Sequence, residues 1–170
     1  MPDLVPTQVD PELTSRLGQI VIRWASVDAW ISALLATLVK GDHGAMTLIT
    51  NNLATATQTR WIRGLMKLHP QEAKKNKCVL KLLERADKLR GQRNELIHDL
   101  WDTTDCAPKT AMVQIINLER SEPVRSRLVT VEELNGLVVQ IDEWIADYIK
   151  LGHELGFPKR PGDSKSIFSN

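Results

Sequence analysis

Between Leu13 and Leu38 the apolar residues fall at Leu13, Leu17, Ile20, Trp24, Val27, Ile31, Leu34 and Leu38, in alternating steps of four and three. Steps of that size place all eight side chains on one stripe of an α-helix. A stripe this long must be covered along its whole length, and only neighbouring helices fit it lengthwise. The spacing therefore commits the chain to helix-on-helix packing, with a first helix from about Pro11, which suits a first turn, to Lys40, before Gly41. Val21 and Leu35 widen the stripe. Asp28, seven residues from each, takes the matching place between them. A carboxylate on the inner side calls for a base such as Arg93, and a role in orienting His98 stays open.

The rest of the chain extends the same architecture. A turn at residues 41–44 leads into a predicted second helix from about Ala45 to Leu68, with Ile49, Leu53, Ala56, Trp61, Leu65 and Leu68 inward and Arg60 and Arg63 beside them. A third helix starts near Pro70 or Gln71 and ends between Asp99 and Trp101, its stripe made by Val79, Leu82, Ala86, Leu89, Leu96, Ile97 and Leu100. Gly91 interrupts this helix at a cost of about 1 kcal/mol relative to Ala. Residues 102–108 carry no helical pattern. Residues 112–118 and 125–130, rich in Val, Ile and Leu and separated by a polar turn at 119–123, predict a β-hairpin at about 111–130. Thr130 suits the N-cap of a fourth helix, with Glu133 at the capping-box position. Its stripe runs from Leu134 through Trp144 and Tyr148 to Leu151, and the helix ends near Leu155. Residues 1–10 and 156–170 are read as a flexible arm and tail. The expectation is an all-α fold: an antiparallel four-helix up-down bundle over 11–155, with the hairpin inserted between helices three and four.

A 170-residue chain with 42% hydrophobic residues suits one domain with its own core. Cys78 and Cys106 are spaced for neither a disulfide framework nor a metal site, as fits a reducing cytoplasm. His43 and His69 have no second ligand at metal spacing, so no metal and no cofactor is expected. With no basic leader and no apolar run near 18 residues, the reading is a cytoplasmic protein without a membrane span. The net charge of +1 hides an uneven distribution: residues 60–93 hold eleven bases against three acids, +8, which leaves −7 for the remainder. Such a block is either an ordinary solvated face or an approach for an anionic polymer, and Arg60, Arg63, Lys88 and Arg90 are its candidates for substrate contact.

That basic block runs into Arg93, Asn94 and His98. Arg93 falls within the apolar stripe of the third helix, where a permanent cation is costly unless something pairs with it. Asn94 and His98, four apart, share the flank of the stripe, and Trp101 lies between the two sets. One reading is structural: an Arg that snorkels and a His that closes a local hydrogen-bond network. The segment Arg93-Asn94-Glu95-Leu96-Ile97-His98, followed by Asp99-Leu100-Trp101, resembles the signature of the HEPN superfamily, in which an Arg, a polar residue and a His sit on an inner helix of an all-α bundle. The order of the helices agrees with that bundle from about residue 11 to 155.

The chemistry that these residue types suit is RNA cleavage without a metal. RNA supplies its own nucleophile, the 2′-hydroxyl. An imidazole is the side chain fitted to move a proton near neutrality, and a guanidinium offers paired donors where charge builds on the phosphorane. Asn94 is a candidate for holding the phosphate or the ring. Residues five apart on a helix diverge by about 140° and rise about 7.5 Å, so one copy is an awkward catalytic pair. Two copies facing across a two-fold axis would surround one phosphate with two His and two Arg. The resemblance implies such a homodimer, RNA as substrate, products with 2′,3′-cyclic phosphate and 5′-hydroxyl ends, a toxin or antiviral defence role, and an inhibitory partner protein. Family toxins controlled by modification carry Tyr two residues after the His; here that place is Leu100. The superfamily also includes non-catalytic members, so an interaction or nucleotide-binding module of the same fold stays open.

Overall fold

A computed structural model describes residues 10–39, 43–50, 52–68, 73–98, 100–102, 108–115 and 125–155. They form α1 (Pro11–Val39), α2 (His43–Thr50), α3 (Thr55–Leu68), α4 (Ala73–Ile97), β1 (Leu100–Asp102), β2 (Thr110–Ile115), β3 (Arg125–Thr130) and α5 (Val131–Leu155). The fold is mostly helical, with one small antiparallel sheet of order β1-β2-β3 among the described residues. The chain resolves into two compact units, one from Met1–Arg23 with Leu89–Ile141 and one from Trp24–Lys88 with Asp142–Asn170. Each of α1, α4 and α5 supplies a segment to both. Residues 1–9 of the predicted arm at 1–10, residues 116–118 of the first predicted strand, the turn at 119–123 and the tail at 156–170 lie outside the described residues, whereas Asp10 is described.

In the second unit the core is aliphatic and aromatic: Trp24, Val27, Ile31 and Leu34 of α1, Ile62 and Met66 of α3, Val79, Leu82 and Leu83 of α4, and Trp144 and Tyr148 of α5 are all buried. The Tyr148 ring lies 5.0 Å from Trp30 and 5.6 Å from Trp144, centroid to centroid. The Trp144 indole N–H donates to the Leu82 carbonyl at 2.9 Å, so this ring is buried with its polar edge satisfied. Burial also pushes the Tyr148 phenol well above its ordinary range. Arg85 pairs with Asp147 across α4 and α5.

The predicted second helix is two helices. The first begins at His43, inside the expected turn, and stops at Thr50; the chain then turns through Asn52 and Leu53 before α3. Asn is a poor helix interior residue because its amide competes for backbone groups, and here Asn52 Nδ2 donates to the Leu48 carbonyl at 2.9 Å. The break is closed by Gln58, whose Nε2 donates to the Thr50 and Leu53 carbonyls at 3.1 and 3.0 Å while its Oε1 accepts from Ser32 Oγ at 2.9 Å. Drawing Gln58 inward sets the phase of α3. Gln58, Thr59, Ile62 and Met66 are buried, whereas Ile49, Ala56, Trp61 and Leu68, expected inside, are exposed.

The first unit packs Leu13 and Ile20 of α1, Leu89 and Leu96 of α4, Ala111, Val113 and Val129 of the sheet, and Leu134, Leu137 and Ile141 of α5 as its buried set. Val21, expected to widen the α1 stripe, is 43% exposed. The hairpin pairs antiparallel from Thr110↔Thr130 to Ile115↔Arg125. A third strand, β1, takes residues that the helical spacing had assigned to the end of the third helix, and pairs Leu100↔Gln114 through Asp102↔Met112. Thr130 caps α5, its Oγ1 accepting from the Glu133 N–H at 3.2 Å. The Glu133 carboxylate, however, goes to Arg127 rather than closing a capping box.

Asp10 ties two distant points of this unit. One oxygen accepts from the Glu12 N–H at 2.8 Å, capping α1, and the other accepts from the Lys109 N–H at 3.1 Å. Lys109 stands at φ 63°, a left-handed turn entering β2 that costs a residue with a Cβ some strain. Its carbonyl accepts from the Val131 N–H at 3.2 Å and its Nζ lies 3.0 Å from Glu12 Oε2. Helix α1 is also, by length and an 18-residue window of mean hydropathy 1.4, apolar enough to cross a membrane, which the run-by-run sequence reading had not registered. Half of that window is buried inside the protein, as for a core helix.

Two outcomes follow. Gln58→Leu takes the side-chain donor from the Leu53 carbonyl and from the Thr50 carbonyl, which keeps the Leu53 N–H, and should lower unfolding free energy by about 1–3 kcal/mol in a denaturant titration. The Asp10 carboxyl is held below its ordinary value chiefly by the Glu12 N–H, with Lys109 adding to it. A depressed carboxylate contributes stability above its unfolded pKa and loses it as pH falls through the folded one. Melting temperature should therefore drop between about pH 5 and pH 3 more steeply for the natural chain than for Asp10→Asn, which starts lower at neutral pH.

Candidate functional site

Leu89 and Leu96 anchor the last turns of α4, both buried, and Arg93 stands between them on the same side. The cation is half-buried with its Nε covered and without a hydrogen-bond partner among the described residues. Its Nη1 reaches outward and donates to Asn94 Oδ1 at 3.0 Å and to His98 Nε2 at 3.2 Å. Asn94 and His98 are exposed, so the three polar groups meet at the solvent-facing surface. A guanidinium can only donate. In this contact Nε2 is therefore the acceptor.

Residues five apart meet because α4 ends between them. The His98 N–H still donates to the Asn94 carbonyl at 3.0 Å, completing a last turn, but the helix stops at Ile97 and the chain bends into β1. Trp101 fixes that bend: its half-buried ring donates through Nε1 to the Leu96 carbonyl at 2.7 Å, while its backbone pairs with Val113. A terminal carbonyl that has no partner within the helix is thus satisfied by a side chain of the following strand. The long Arg93 side chain covers the remaining separation.

A second set of charges lies beside the motif, and no spacing in the chain points to it directly. Arg127 of β3 pairs with Glu133 of α5 and lies 3.8 Å from Glu95, the residue between Asn94 and Leu96. Arg127 is thus half-buried and held between two carboxylates. The only available signal was the short distance in sequence from Arg127 to Glu133.

The other candidates separate. Arg90 lies on α4 one turn before Asn94, half-buried, in the same unit as Arg93 and His98. Arg60, Arg63, Lys88 and Asp28 belong to the other unit. Arg60 and Lys88 are exposed, but Arg63 is held by Asp87 at 2.5 Å. Asp28 accepts from Thr55 Oγ1 at 2.6 Å, at the first residue of α3. Arg93 and His98 bond to each other and to Asn94. No cluster of three or more His, Cys, Asp or Glu side chains suited to a metal occurs among the described residues.

No family model matches the chain, and neither a curated protein nor a solved structure does. The residues themselves therefore carry the functional argument.

Trp101→Phe keeps the ring and removes the N–H that caps Leu96. Stability should fall by about 1–2 kcal/mol, and the imidazole resonances of His98 should shift in a proton–nitrogen spectrum. Unmoved His98 resonances would mean that the cap does not position the ring.

Proposed function

We propose that this chain is a metal-independent endoribonuclease of HEPN type, in which the helices form the antiparallel four-helix bundle of that superfamily. The observation that carries the reading is the 3.2 Å contact between Arg93 and His98 at an exposed surface, with Asn94 on the same guanidinium. A fixed cation and a titratable ring side by side, open to solvent, are the two groups that phosphodiester transfer to a 2′-hydroxyl requires.

In the resting contact Arg93 occupies the lone pair of His98 Nε2. A scissile phosphate draws the guanidinium donors to its oxygens and frees that lone pair. Nε2 then takes the 2′-hydroxyl proton as O2′ attacks phosphorus; the P–O5′ bond breaks, and a protonated imidazole, that of a second copy, returns a proton to O5′. The products are a 2′,3′-cyclic phosphate and a 5′-hydroxyl. Arg93 stabilises the charge on the phosphorane, and Asn94 orients a phosphate oxygen through its amide. Arg90, Arg60 and Lys88 add RNA contacts; Arg63 contributes less because Asp87 already holds it. On this reading the protein is a cytoplasmic homodimer with facing motifs, acts as a toxin or in antiviral defence, and is restrained by an inhibitory partner.

A second reading rests on the same contact. The described donors of Arg93 close on its own neighbours, which also suits a non-catalytic module whose motif knits the end of α4.

With excess chelator present, the purified protein should cleave RNA to cyclic-phosphate ends. His98→Ala and Arg93→Ala should each lower the rate by roughly 100-fold or more, with the helical circular-dichroism signal retained. Cleavage that survives both substitutions sinks the nuclease reading. A large drop in melting temperature for His98→Ala, with no RNA turnover by the natural chain, selects the interaction module.

A further inference from the structure

The phase of α3 leaves an unusual surface outside. On a helix Lys67, Arg60, Gly64, Leu68 and Trp61 follow one another around a single exposed arc of about 120°. Trp61 is 43% exposed and Leu68 73%, while nothing lies within 4 Å of where a Cβ on Gly64 would stand. Arg60 and Lys67 are exposed, about 10 Å apart along the axis, and have no ion pair or hydrogen bond among the described residues. Helix α3 contains no acidic residue. The arc thus joins an open aromatic face, two exposed cations and a glycine gap that lets a ligand approach the backbone.

We propose that this face of α3 is a docking site for single-stranded RNA, with a base stacked on Trp61 and the phosphates of the strand on Arg60 and Lys67. The proposal rests on the nuclease reading for its choice of polymer and adds a strand-holding site separate from the Arg93/His98 motif. Charge complementarity decides the occupant. Cations without interspersed acids match a polyanion, whereas a protein interface is built on a larger apolar centre with lysine depleted. Trp61 and Leu68 alone make a short apolar row. Stacking on an aromatic accepts any base, so the site holds a strand without choosing its sequence.

The test measures binding apart from cleavage. Full-length His98→Ala protein, expected to cleave RNA more slowly by roughly 100-fold or more, is titrated with a fluorescein-labelled oligoadenylate of about 12 nucleotides, a length typical of single-strand sites. Trp61→Ala should weaken binding by about 5- to 100-fold, and Trp61→Phe should restore most of it. Arg60→Gln and Lys67→Gln should each flatten the salt dependence of the affinity by about one counterion. Affinity and salt slope unchanged in Trp61→Ala, Arg60→Gln and Lys67→Gln alike, or the absence of any RNA binding, overturns the proposal. Concentration-dependent self-association that Trp61→Ala abolishes, with RNA affinity untouched, also overturns it in favour of a protein contact. Because cleavage by the natural chain is scored separately, binding through Trp61 without turnover would leave this site standing and remove the nuclease reading.

Discussion

The hydrogen bond from the Trp101 indole to the Leu96 carbonyl sets the geometry of the candidate site. A helix end leaves carbonyls that need partners, and a buried carbonyl without one costs about 1–3 kcal/mol. Leu96 is buried, so the end of α4 needs a donor close by. Supplying it from β1 stops the helix, starts the sheet and lets the residue after Ile97 leave the helical path. Arg93 and His98, which a longer helix would hold on diverging faces, are brought within 3.2 Å as a result.

Much of the helical architecture was legible because long stripes average out local exceptions. The α1, α4 and α5 rows mark buried positions well: Leu13, Ile20 and Trp24, then Val79, Leu82 and Leu89, then Leu134, Ile141 and Trp144 are all buried. The strands β2 and β3 were visible as runs rich in Val, Ile and Leu, and in the structure Ala111 and Val113 face inward on a period of two. Where the reading failed, a side-chain hydrogen bond had overruled hydrophobicity. Gln58 and Thr59 are polar, so pattern alone sends them outward, yet Gln58 is buried to close the α2–α3 break and the helix turns with it. Trp61 pays by facing solvent. β1 was invisible because Leu100 and Trp101 continue the helical spacing and three residues are too few to show another period.

The site was legible in composition and not in detail. Arg93, Asn94 and His98 stood out by order and spacing, and they converge. Their mutual bond could not be read from spacing, since it depends on where α4 stops. The Thr55 hydroxyl on Asp28 was hidden for a related reason: one-dimensional position identifies a buried-side carboxylate but not a donor 27 residues away. Charges joined across elements, such as Arg127 with Glu133 and Glu95, are equally hidden until the strand and helix are laid side by side.

The indoles are divided unequally between the two compact units. Of the chain's five tryptophans, Trp24, Trp30, Trp61 and Trp144 belong to one, and Trp101 alone to the other. Intrinsic emission during denaturation thus comes chiefly from indoles of the unit without the motif. A chain keeping Trp101 as its sole fluorophore would invert this, turning the cap on Leu96 into an optical gauge of whether the motif's own unit is still folded.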